Sequence, residues 1–220
     1  MASYSYSYNS SSVTVTITGL TAGSSTYKVF IRLANDSSNV TVEQTTQTAG
    51  ASRHTHTFGG LAPSTQYLLN VNVDGSWLGA STFTTSAVSP WSWSASTERQ
   101  NFYNVLTGVL PANPEYLSHN VWNDLVDKVR EIVVATKATY SGEWDNTYAD
   151  YAATYCYSGD TLSAVKFNSL RQNVNLVCTK VSVSSLTNDG VGAVSAGQEI
   201  LGSYITKVTS KINEIIENGW

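Results

Sequence analysis

The sequence predicts two domains in series: an antiparallel β-sandwich over residues 1–88, then an α-helical domain like a four-helix bundle over residues 97–220, joined by a short linker at 89–96. Two patterns predict this division. In the first half, apolar residues alternate with Ser and Thr in short runs separated by Gly, Asn and Asp, the period of half-buried strands. In the second half the apolar residues fall at spacings of three and four, the stripe of an amphipathic helix. A length of 220 residues suits two domains of about 90 to 130 residues each.

The strands come first. Ser12 to Leu20 reads SVTVTITGL, with Val13, Val15 and Ile17 on one face and threonines on the other. Tyr27, Val29, Ile31 and Leu33 repeat that alternation, and further short runs follow at His54 to Phe58, Tyr67 to Val73 and Ala80 to Thr84. Short strands with turns and no helical period between them indicate antiparallel pairing. His54 and His56 lie two residues apart on one strand face, the spacing that brings two imidazoles toward a metal. No third ligand accompanies them, so no metal is assigned.

The segment Leu61-Ala62-Pro63-Ser64-Thr65-Gln66-Tyr67 resembles the corner of fibronectin type III domains, and Ser81-Thr82-Phe83-Thr84-Thr85 resembles their last strand. The resemblance covers about residues 4–86 and implies an immunoglobulin-like, fibronectin type III-like sandwich. In that family the leucine packs inside and the tyrosine hydroxyl ties the turn back to the backbone. The tryptophan usual in the family's second strand is absent, with Val13, Val15 and Ile17 in its place.

The linker carries two tryptophans, Trp91 and Trp93, in Ser86 to Ser96. A flexible tether does not need them. They are expected to plug the joint between the domains, since a buried aromatic contributes roughly 1.5 to 3 kcal/mol; an exposed sugar-stacking pair is the alternative.

Thr97-Glu98-Arg99-Gln100 has the form of a capping box, followed by an apolar stripe at Phe102, Val105, Leu106 and Val109. Asn113-Pro114-Glu115 is a second start signal, and Leu117, Val121, Trp122, Leu125, Val129, Ile132 and Val133 continue that helix. Gly159-Asp160-Thr161 precedes a third helix, with Asp160 placed to favour its dipole. Ser195-Ala196-Gly197-Gln198 repeats the capping-box pattern before a fourth.

Three of these helices are related. Leu117, Trp122, Leu125 and Val129 align with Leu162, Phe167, Leu170 and Val174 at a shift of 45 (162 − 117). Ile200, Ile205, Val208 and Ile212 align with the middle set at a shift of 38 (200 − 162). Lys166, Arg171 and Gln172 are expected on the outer face of the middle helix. The motif Gly-Asp-x-Leu-Ser-Ala-x-x-Phe-Asn-x-Leu at Gly159 to Leu170 resembles repeats near the ends of structural proteins in phages of Firmicutes-like hosts. That resemblance implies assembly into a virion, as a fibre, decoration or tail component, rather than catalysis.

The long connections are the place to look for recognition. Trp144, Tyr148, Tyr151 and Tyr155 have spacings of four, three and four, so a short helix would align their rings on one face. They read either as a cover for the bundle or as an exposed strip for a partner subunit or a glycan. The loop around Thr187 to Gly197 is small and glycine-rich, without the lysine of a phosphate loop.

Composition narrows the function classes. Charged residues are only 13% of the chain and Ser plus Thr roughly a quarter, so hydroxyls and amides carry the solubility. Residues 1–90 hold three Lys/Arg and three Asp/Glu, leaving nine against thirteen in the rest, for a net charge of −4. Nothing in that balance attracts nucleic acid or an anionic membrane. The start, Met1-Ala2-Ser3-Tyr4, lacks the pattern of a signal peptide, and no apolar run nears the roughly 20 residues of a membrane span. Cys156 and Cys178 are too few for a disulfide framework and read as buried thiols, with one disulfide as the alternative.

No serine elbow, His-Glu-x-x-His, phosphate-loop or dinucleotide pattern is present, and the carboxylate pairs Glu143/Asp145 and Asp124/Asp127 read as solvated charges. The expectation is a non-enzymatic virion protein without cofactor or metal, made in a host cytoplasm. Its expected partners are other virion proteins or copies of itself, with no nucleic acid and no membrane insertion. The alternative is a carbohydrate-binding adhesin of a phage or bacterial surface, contacting a host-surface glycan.

Overall fold

The computed structural model describes residues 1–35, 42–111, 118–140 and 154–219, with side chains described throughout these except at positions 42–45. The chain divides into two compact units, Met1–Val88 and Ser89–Trp220.

Among the described residues the first unit contains two antiparallel sheets. One has the order β1 (Ser3–Tyr8), β2 (Ser12–Thr18), β5 (Arg53–Gly59); the other has β4 (Val42–Thr48), β3 (Thr26–Leu33), β6 (Gln66–Val73), β7 (Ser76–Thr84). Their inner faces share one core, in which Val13, Val15, Ile17, Ile31, Leu61, Leu69 and Val71 are almost wholly buried. The register places Val15 opposite both Tyr6 and His56, so β1 and β5 flank the valines of β2 on the same face. The opposite face of this sheet is tiled with hydroxyls: Thr14 bonds Thr57 at 2.8 Å and Thr16 bonds Thr55 at 3.0 Å.

Two strands, β1 and β4, lie outside the runs that alternation predicts. β1 reads SYSYSY, and its tyrosines do the work expected of valines. Tyr4, Tyr6 and Tyr8 stack at 6.4–6.5 Å along the edge, Tyr6 and Tyr8 pack on Phe83, and the Tyr4 hydroxyl reaches Ser81 Oγ at 2.7 Å. This ladder of rings and hydroxyls joins β1 to β7 across the two sheets. β4 reads VEQTTQT, and too few of its residues are apolar to show an alternation.

Tyr67 ties its corner as the resemblance implies. Its side chain is 2% exposed and its hydroxyl accepts a bond from Ala62 N at 2.8 Å. Thr85 completes the corner by donating to Ala62 O at 2.6 Å and accepting from Thr65 N at 3.0 Å.

Among the described residues the second unit holds four α-helices: α1 (Thr97–Leu106), α2 (His119–Thr139), α3 (Ala164–Val181) and α4 (Gly202–Asn218). Trp122, Leu125, Val129 and Ile132 of α2, Phe167, Leu170, Val174 and Val177 of α3, and Ile205, Val208, Ile212 and Ile215 of α4 are all buried. α2 packs on α3, α3 on α4, and the short α1 lies against α4 and α2. The approach of α1 to α4 is close: a Cβ on Gly202 would stand 2.5 Å from Leu106 O, so this position requires glycine.

The caps differ from the predicted start signals. Ser96, Ser118 and Ser163 cap α1, α2 and α3, each accepting a bond from a first-turn amide. Thr97 is therefore inside α1, and Asp160 stands before α3, where it accepts from Tyr157 N and Lys166 Nζ. Asn113 and Pro114 lie outside the described residues. The Ser195–Gln198 pattern closes a turn ahead of α4, with Ser195 N donating to Gln198 Oε1 at 2.8 Å, whereas α4 itself has no side-chain cap. Arg171 is buried rather than outward, and donates to Thr187 Oγ1 at 3.2 Å.

Candidate functional site

The most organised polar feature of the helical unit is a set of three asparagines. Asn123 of α2 receives Cys156 N and donates to Cys156 O, both at 2.8 Å. Asn168 of α3 holds Val194 in the same way, at 2.9 and 2.8 Å. Asn213 of α4 holds Trp91, at 2.7 and 3.0 Å. A carboxamide offers one acceptor and two donors, so it can satisfy both backbone groups of one extended residue as a neighbouring strand would. The three held residues are buried, with Trp91 and Cys156 4% exposed and Val194 6%.

The order of these clamps is cyclic. α2 holds the segment before α3, α3 holds the segment before α4, and α4 holds the segment before α1. The asparagines are spaced equally, 168 − 123 = 45 and 213 − 168 = 45. This corrects the alignment of the third copy, because Asn213 is the counterpart of Asn168 in place of Thr206. The two alignments differ by 45 − 38 = 7 residues, one heptad, which leaves an apolar stripe almost unchanged.

Below the Asn123 clamp lies a cleft of about 920 Å³, lined by Phe102, His119, Trp122, Cys156, Asp160 and Glu199 among others. Two of the groups that line it, Asp160 and Cys156, are engaged by Lys166 of α3. Lys166 Nζ donates to Asp160 Oδ2 at 2.7 Å and approaches Cys156 Sγ at 3.6 Å. The bond from Lys166 holds the Asp160 carboxyl below the usual range, and the bond to Asp160 holds the Lys166 ammonium above its own. Burial pushes the Cys156 thiol up, with Lys166 opposing, so the sulfur stays protonated and is a poor nucleophile at neutral pH. Cys178 is pushed up to about 11 by burial. Both cysteines are free and buried.

No protein-family model and no curated protein matches the chain. Among solved structures, similarity is found to the sensor domain of the anti-sigma factor RsgI4 of Pseudobacteroides cellulosolvens. Its long form is 17% identical with a TM-score of 0.34, covering 42% of this chain and 96% of that one. Its short form is 16% identical with a TM-score of 0.31, covering 39% and 95%. A solution structure of the same domain is 17% identical with a TM-score of 0.33, covering 44% and 85%. Scores this low carry no inference about activity.

The residues singled out from sequence fall in several places. Trp144, Tyr148 and Tyr151 of the aromatic strip lie outside the described residues, as do Glu143 and Asp145. Tyr155 is half-buried and donates its hydroxyl to Asp127, a bond that raises its pKa ahead of burial. Asp124 accepts from Arg99 at 2.9 Å, so neither Asp124 nor Asp127 is an unattached carboxylate. Trp91 and Trp93 engage the helical unit: Trp91 is held by Asn213, lies beneath the Arg99 guanidinium at 4.2 Å and meets Trp93 edge-on, and Trp93 stacks on Phe102. The His54 ring packs tilted against Tyr27 at 4.4 Å, and His56 meets Phe58 edge-on at 4.6 Å. Among the described residues no group of three or more His, Cys, Asp or Glu could hold a metal. Among them, too, no helix is long and apolar enough to cross a membrane.

Proposed function

We propose that this chain is a non-enzymatic structural component of a phage particle, with the helical domain mediating assembly and the β-sandwich displayed outward. The carrying observation is the cyclic asparagine clamp, which commits the most regular polar side chains of the helical unit to holding its own backbone. Beside the cleft, Asp160 is likewise bonded to Lys166. The Gly159 to Leu170 motif supports the particle. We read the sandwich as fibronectin type III-like, a reading that the three-plus-four strand order and the Tyr67 corner support. We read the helical unit as a four-helix bundle with α1 as its short member.

Light scattering and negative-stain microscopy of the purified chain, with antibody labelling of phage particles from strains carrying its gene, test the proposal. Association into a defined oligomer and labelled particles are expected. A strictly monomeric chain absent from particles would overturn it.

A further inference from the structure

The outer face of the four-stranded sheet carries an aromatic platform that the preceding reading leaves unused. Trp77 is 56% exposed, and its ring lies 5.4 Å from Phe30 at 36°. Its position depends on a bulge. From Thr84 to Ala80, β7 pairs residue for residue with Gln66 to Asn70, but Asn72 then faces Trp77, so β7 carries one extra residue between Ala80 and Trp77. Gly79 takes the positive φ of 100° inside this bulge. Without the extra residue, alternation from the buried Phe83 would turn Trp77 inward. With it, Leu78 packs against the core and Trp77 faces solvent.

The neighbours of the ring define the ligand. Asn72 sits directly opposite Trp77, and Asn70 opposite Ala80 on the same face. Both amides are half-buried, and among the described residues neither side chain has a hydrogen-bond partner. Lys28 Nζ stands 4.3 Å over the Phe30 ring. An aliphatic anchor from a protein would cover these amides and leave them unpaired, which is unfavourable. A pyranose ring sets its C–H face on an indole and offers hydroxyls to amides at its rim. We propose that Trp77, Phe30, Asn70 and Asn72 form a binding platform for a neutral polysaccharide. The proposal is independent of any role in a particle.

The full chain is run in native gels containing hydroxyethylcellulose, arabinoxylan, glucomannan or dextran, alongside Trp77→Ala, Trp77→Phe and the double variant Asn70→Ala/Asn72→Ala. At least one polysaccharide should retard the parent. Trp77→Ala should weaken that binding on the order of tenfold, Trp77→Phe less, and the double variant should lose selectivity among the polysaccharides. Trp77 is exposed, so Trp77→Ala should melt with the parent. Passage of the parent through every gel unretarded, or equal retardation of Trp77→Ala, would overturn the platform. So would a fall in particle mass on light scattering for Trp77→Ala, which would assign Trp77 to a contact between copies.

Discussion

Replacing Asn168 by Ala removes both bonds to Val194 and leaves its N–H and C=O without their partner. Two bonds at about 1 kcal/mol each give about 2 kcal/mol, and incomplete rehydration of the two buried backbone groups adds about 1 more. The expected loss is therefore about 2–3 kcal/mol. For a unit of 220 − 88 = 132 residues, each kcal/mol lowers Tm by about 3–5 °C, so the helix signal should melt roughly 6–15 °C early. Asn123→Ala and Asn213→Ala should behave alike, since their clamps have the same geometry. Thr206→Ala is the discriminating control. Its hydroxyl donates only to Ser203 O, within its own helix, and its loss should cost under about 0.5 kcal/mol. Circular dichroism at the helix band during thermal and urea unfolding reads all four variants. Asparagine variants within about 0.5 kcal/mol of the parent, or a Thr206 variant as damaging as they are, would refute the clamp.

Two further predictions concern the sandwich. Tyr67→Phe keeps the ring in the core but strands Ala62 N–H, so urea unfolding of the sheet signal should show a loss of about 1–2 kcal/mol; a variant as stable as the parent would deny the corner its role. Burial against Tyr27, then the nearby His56, holds the His54 pKa below its ordinary value, while an unfolded histidine titrates near about 6.5. Below that pH the unfolded chain binds the extra proton first, so this contribution to stability is complete above it and declines as pH falls toward the lowered folded value. His54→Gln should flatten the difference in unfolding midpoint between pH 7 and pH 5, and equal slopes in the two proteins would refute the assignment.

The alternating apolar residues made β2 and β3 legible in the sequence, and the Leu61 to Tyr67 segment made the corner legible. β1 was harder to see because tyrosine is ambiguous: its ring packs on Phe83 while its hydroxyl bonds the opposite sheet. The platform was hidden by the bulge, since a period of two cannot be carried through an extra residue, and Trp77 then changes face. The asparagines were hidden for a different reason. Each pairs with the backbone of a residue distant in sequence, 122 positions away for Asn213, and every residue type except proline offers the same backbone groups. Nothing in the sequence of the held segment marks it as held.

The heptad ambiguity and the clamps together explain how this helical unit tolerates long connections. An apolar stripe fits its neighbour almost equally well after a slip of seven residues, so Phe167, Leu170 and Val174 alone leave the register of the third helix open. A carboxamide held at 2.7–3.0 Å by one backbone residue does not tolerate such a slip. The clamps also subdivide the loops. The segment between Val181 and Gly202 is anchored at Leu186 by Asn175 and at Val194 by Asn168, so none of the three spans is long enough to carry a large closure entropy. Because Asn213 closes the series back on Trp91, the segment before the first helix is held by the last. Freeing any one clamp should then loosen the register of the neighbouring helix as well as its own loop, which is why the three asparagines are expected to cost alike although they hold a cysteine, a valine and a tryptophan.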